Sequence, residues 1–252
     1  MRLPWLLLLG LLVASCGGSS KQNVPKRPPP AVAQRCGDEA KSVDAKQVWF
    51  RASDGALLDG AEVGDGAVGV VLAHESPSDL CPWLPYPKTL ADHGYHAFAF
   101  DFRGSGSSPA QFAAKATRND LDVVAAASEL RRLGAKKVFL VGGSLGGAAV
   151  LAAAPEVDPR PTGVISLSGE PQLLGAMRAA PKIEAPLLVL IARSDGYSSV
   201  ADNRRLVDAA ASSDKRLVVY PDDWHGWDLL YHAPYKARVN ALVFDFLRQR
   251  AQ

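Results

Sequence analysis

The sequence predicts an α/β architecture: a mostly parallel sheet of about eight strands with helices on both faces. Three observations carry this. Short, continuously apolar runs recur along the chain, as at 68–73 (V-G-V-V-L-A) and 187–191 (L-L-V-L-I), the pattern of strands covered on both sides. Segments with a helical apolar stripe separate them, as at 117–133, where Val123, Ala126, Ala127, Leu130 and Leu133 share a face. A hairpin signal, Ser53-Asp54-Gly55, stands at the front between two strand candidates. Strands alternating with helices cannot bury both sheet faces except as layers.

The elements begin after a polar region. Met1-Arg2 gives a positive start, and 3–13 is an apolar run too short to span a bilayer. It ends in Val13-Ala14-Ser15-Cys16, which resembles the bacterial lipobox. The resemblance implies a signal peptide over 1–15 and a lipidated Cys16, with no aspartate after it to retain the protein in an inner membrane, since Gly17 follows. Residues 16–45 then read as lipidated cysteine and flexible linker, Gly/Ser giving way to Pro and Lys/Arg with little to bury. The expectation is a protein of the bacterial cell envelope, anchored to a membrane through Cys16. Of the three cysteines, Cys36 and Cys81 remain, and export to an oxidising compartment favours a disulfide between them.

From residue 46 to 252 one domain is expected. Strands are predicted at 47–51, 57–61, 68–73, 96–101, 138–141, 164–167, 187–191 and 217–220. Helices are predicted at 83–92, 117–133 and from Tyr235 onward, the last with Val239, Leu242, Val243, Phe246 and Leu247 on one side. A chain of 252 residues that is 48% hydrophobic can build one substantial core, and a net charge of +2 gives no field that favours nucleic acid.

The stretch Gly142-Gly143-Ser144-Leu145-Gly146 sits where a strand becomes a helix. A serine exposed there needs a sharp turn whose neighbours lack a Cβ, and the helix N-terminus behind it stabilises developing negative charge. The alternative is a tight turn for close packing. A phosphate loop is poorly supported, because no lysine follows the glycines.

With this G-x-S-x-G pattern in that context, the chain from about residue 46 resembles the α/β-hydrolases. Ala73-His74 resembles the loop that supplies part of their oxyanion hole, and 101–108 (D-F-R-G-S-G-S-S) their D-x-R-G-x-G-x-S stretch, a structural feature. The resemblance implies a nucleophile, acid and histidine in that order. Ser144 would be the nucleophile, Asp195 in R-S-D-G the acid, and His225 in W-H-G the base. Asp202 and His232 are the reserve candidates. His74 is expected to shape its loop, while His93 and His96 read as surface or turn residues. The N–H groups of Leu145 and Ser76 would hold the oxyanion. His74-Glu75 replaces the commoner His-Gly and gives a partial likeness to the dienelactone-hydrolase branch, whose members use cysteine; Glu75 is therefore a possible modulator of Ser144.

The implied function is a serine hydrolase, foremost a carboxylic-ester hydrolase acting through an acyl-enzyme on a small-molecule ester. A peptidase or amidase on the same fold, and a surface-anchored binding protein without turnover, are the alternatives. No cofactor is expected, and no metal, since no Cys, His and carboxylate cluster has ligand spacing. Only 169–184 separates the strand after the nucleophile's helix from the next, which leaves no room for a cap domain.

Overall fold

The computed structural model describes residues 31–111, 115 and 117–252. The expected signal peptide and Cys16 lie outside them. Eight strands form one sheet: β1 Lys46–Arg51, β2 Leu57–Val63, β3 Val68–Ala73, β4 His96–Phe100, β5 Lys137–Gly143, β6 Gly163–Leu167, β7 Leu187–Ala192 and β8 Lys215–Tyr220. Their order is β1-β2-β4-β3-β5-β6-β7-β8. β1 and β2 pair antiparallel, as do β2 and β4, and all later pairs are parallel.

Period-2 alternation sends neighbouring residues of a strand into opposite cores. Val71 and Ala73 of β3, Phe98 and Phe100 of β4, and Val138 and Leu140 of β5 pack under α3 (Asn119–Arg132), α4 (Leu145–Ala153) and α6 (Val200–Ala209). Val70 and Leu72, Ala97 and Ala99, and Phe139 and Val141 face α2 (Pro85–Asp92) and α8 (Lys236–Arg250). Both faces are covered, so the continuously apolar strands have nowhere exposed to turn. Between β6 and β7 stand only the four-residue α5 (Ala176–Ala179) and one turn of 3-10 helix. The uncapped architecture read from the sequence is the one observed.

Two expectations are corrected. Residues 31–45, expected to end the linker, pack on the domain. A short α1 (Val32–Arg35) and a 3-10 turn (Gly37–Ala40) bury Val32, Cys36, Ala40 and Val43 against the α2 side of the core. Cys36 is bonded to Cys81, with Cα atoms 5.0 Å apart. Arg35 reaches Asp79 at 2.9 Å and the fully buried Asp101 at 2.8 Å. Apolar contact, a covalent link and ion pairs together offset the ordering entropy of a segment whose composition reads as tether. His96, expected at the surface, is 1% exposed at the start of β4, where its Nε2 meets Glu62 Oε1 at 2.8 Å. His93 is exposed at the end of α2, as expected.

The 101–108 stretch is structural here. Asp101 accepts the N–H groups of Leu80 and Ser107, and Arg103 is buried against Asp122 and Asp54. These bonds fix the loops that follow β3 and β4.

Candidate active site

Parallel strands place their carboxyl ends along one edge of the sheet. Ala73 pairs with Gly142, and Gly143 with Leu167, so the loops after β3, β5 and β6 leave together. Ser144 stands at the end of β5 with φ 50° and ψ −117°, a conformation rare for a residue with a Cβ. Its N–H donates to Leu167 O at 2.9 Å, and its carbonyl accepts the N–H of Ala148 at 3.0 Å. The turn therefore belongs to the sheet at one end and to α4 at the other. A Cβ on Gly142 would lie 2.2 Å from Gly146 O, and one on Gly146 2.1 Å from Ala73 O. Both contacts are to backbone, so glycine is a steric requirement at each.

Asp195 follows β7. Its carboxylate is buried, and Oδ1 accepts the N–H groups of Tyr197 and Ser198 at 2.9 and 3.0 Å. His225 follows β8, and its Nδ1 lies 2.9 Å from each Asp195 oxygen. The two loops are also tied through their backbones, Arg193 N to Tyr220 O and Ser194 N to Asp222 O, each 2.8 Å. Burial opposes protonation of His225, but the Asp195 carboxylate outweighs it and raises the imidazole pKa. Burial likewise works against ionised Asp195, and His225 together with the two amides holds its pKa below the usual range.

Ser144 and His225 line one open cavity of about 340 Å³ with Glu75, Ser76, Glu170, Tyr197 and Trp227. Ser76 thus borders the same space. Leu145 begins α4, so its N–H has no acceptor within the helix. The reserve residues lie elsewhere. Asp202 is on α6, paired with Arg205, and His232 is exposed with its Nδ1 2.6 Å from Asp228. His74 is buried, bonded through Nδ1 to Glu75 O and accepting the N–H of Phe102 at Nε2; burial lowers its pKa to about 4 and keeps it neutral. It shapes its loop, as read from the sequence. Among the described residues no group of three His, Cys, Asp or Glu side chains is placed to hold a metal ion.

The sequence reading missed two neighbours, Tyr197 and Glu170. The exposed Tyr197 ring lies 4.8 Å from the His225 ring, and Glu170 comes from the turn after β6. The carboxylate of Glu75 accepts the N–H of Trp227. Glu75 had a signal in the sequence, as the residue replacing a glycine, and was read there as a possible modulator.

Comparison with known proteins agrees with this geometry. The family model described as the alpha/beta hydrolase fold matches residues 72–181, and that of serine aminopeptidase, S33, matches 174–227. The Escherichia coli O157:H7 protein YfhR, itself uncharacterized, is 26% identical over 212 residues, covering 72% of this chain and 73% of its own. An esterase of Pyrococcus furiosus superposes with a TM-score of 0.73 at 17% identity, over 82% of this chain and 92% of that one. A monoacylglycerol lipase of Paleococcus ferrophilus does so with 0.64 at 18% identity, over 77% and 99%. A Klebsiella pneumoniae protein assigned to the dienelactone hydrolases gives 0.67 at 18% identity, over 83% and 100%. The sheet order, the strained serine turn, the family match over residues 72–181 and the structural neighbours together show the α/β-hydrolase fold.

Proposed function

We propose that the protein is a serine hydrolase that cleaves carboxylic esters through an acyl-enzyme. The observation that supports it most is the convergence of Ser144 and His225 on one cavity, with His225 held by buried Asp195. A neutral serine hydroxyl is a weak nucleophile. His225 takes the Ser144 proton as Oγ attacks the ester carbonyl, then returns it to the leaving alcohol. Asp195 keeps the proton of neutral His225 on Nδ1, so that Nε2 is free to act as base, and it stabilises the imidazolium that forms. The N–H groups of Leu145 and Ser76 receive the oxyanion; losing one such donor costs about 3–4 kcal/mol of barrier. Water then cleaves the acyl-enzyme by the same proton relay.

A serine-directed fluorophosphonate tests the assignment. Labelling at Ser144 supports it, and a folded protein that stays unlabelled points to a binding role without turnover. The serine aminopeptidase match over 174–227, which spans both Asp195 and His225, favours a second reading as a peptidase or amidase. Paired ester and anilide substrates with one acyl group separate the two.

The substrate on this reading is a small-molecule ester rather than a nucleic acid. The protein works at the bacterial cell envelope, attached to a membrane through lipid on Cys16.

A further inference from the structure

Glu75 lies two residues beyond β3, 9% exposed, and its Oε1 accepts the backbone N–H of Trp227, two residues after His225. The same oxygen is enclosed by two glycines. A Cβ on Gly143, directly before Ser144, would lie 2.6 Å from it, and one on Gly226, directly after His225, 2.1 Å. The four glycines around the site thus divide by function. Gly142 and Gly146 let the turn itself close against backbone, whereas Gly143 and Gly226 leave the space that a carboxylate occupies. One side chain therefore touches the elbow that carries the nucleophile and the loop that carries the base.

We propose that Glu75 is a positioning residue that acts through His225: its carboxylate anchors the 225–227 turn beside the Ser144 elbow, and its negative charge supports the protonated imidazole. The proposal rests on the serine-hydrolase reading above. The charged groups facing Glu75 are His225 and Asp228, both on the segment after β8, and Glu170 faces His225 from the turn after β6. Burial raises the Glu75 pKa to about 7, the Trp227 N–H and His225 pull it down, and Asp228 pushes it up. The carboxylate and the imidazole each favour the other's charged form.

The test compares Glu75→Gln and Glu75→Ala with wild type in the full chain. The readouts are NMR titration of the His225 ring, the pH profile of kcat/KM, and fluorophosphonate labelling. Gln keeps an acceptor for Trp227 but no charge. It should lower the His225 midpoint by roughly 0.5–1 unit and move the acid limb of kcat/KM the same way, which a purely structural role would not do. Ala removes the anchor as well. It should cut kcat by about tenfold or more with less change in KM, since a misplaced base slows the chemical step. An unmoved His225 midpoint in Glu75→Gln overturns the charge role, and an unchanged kcat in folded Glu75→Ala overturns the anchoring role. If Glu75→Ala does not fold, the Gln variant's ring titration decides. A wild-type protein left unlabelled at Ser144 would instead overturn the nucleophile assignment, while the ring titration would still report on Glu75.

Discussion

His225 Nδ1 is equidistant, at 2.9 Å, from both oxygens of Asp195, whose Oδ1 is also held by two backbone amides. A carboxylate fixed in this way cannot rotate away from the ring, so the ring's tautomer and plane are set before any substrate arrives. The proposed chemistry depends on that arrangement.

Ser144→Ala should abolish ester hydrolysis, by a factor on the order of 10³–10⁶ in kcat, with an unchanged circular dichroism spectrum. His225→Ala should be comparably damaging. His232→Ala, which removes an exposed ion pair with Asp228 and an edge contact to the Trp227 ring, should cost less than about threefold. If His232→Ala proved the more damaging, the base would be His232.

Raising the His225 pKa has a definite sign. The base must be neutral to accept the Ser144 proton, so kcat/KM should rise with pH through a midpoint above the usual histidine value. Asp195→Asn should lower that midpoint and reduce kcat by roughly 10⁴. Stability follows the same pair. The contribution of protonated His225 is full below its unfolded pKa and lost as pH rises through the raised folded value. That of Asp195 is lost as pH falls through its depressed one. A kcat/KM midpoint in wild type that Asp195→Asn leaves in place would contradict this.

Substrate shape and charge follow from the cavity. It is open and uncapped, so little apolar wall covers a long acyl chain, and each methylene left uncovered forgoes about 0.8 kcal/mol. Glu75, Glu170 and Asp228 line it, with no Lys or Arg among the described lining residues. In a p-nitrophenyl ester series, short acyl chains should be preferred, with no jump above the micelle threshold. A succinyl ester should react more slowly than the neutral ester of equal length. A kcat/KM that climbs into long chains would reveal a lipid groove.

The Cys36–Cys81 link closes a loop of 45 residues in sequence. Its reduction, or Cys36→Ser, should cost about 2–4 kcal/mol and lower Tm by roughly 5–15 °C. Arg35→Ala should destabilise as well, because it leaves Asp101 buried without its cation. Thermal melts with and without reductant measure both.

Cys16→Ala should yield an unprocessed or soluble exported form. Mass spectrometry of the wild-type mature N-terminus should find acyl groups on Cys16, and their absence would remove the anchor from the proposal.

The fold was legible because the central parallel strands are apolar runs bounded by turn residues, and the Ser144, Asp195 and His225 positions because each lies on the turn or loop that leaves the carboxyl end of a strand. Long-range partnerships were not. The burial of His96 depends on Glu62 of β2, and the role of Glu75 on a backbone amide at Trp227. Neither partner is near in sequence. Residues 31–45 misled for a different reason, since their polar composition hides a stripe. Val32, Cys36, Ala40 and Val43 recur every three or four residues, the period of one helical face.

That stripe gives the N-terminal segment a mechanical meaning. Arg35 and Cys36 grip Asp79 and Cys81, just downstream of the Ser76, Pro77 and Ser78 wall of the cavity. Tension drawn through residues 31–36 is delivered to the rim of the site rather than to a remote pole of the domain. Whatever holds the chain upstream of residue 31 thus takes hold beside the cavity mouth, and the loop bearing the Ser76 amide is the first part of the domain to feel a pull.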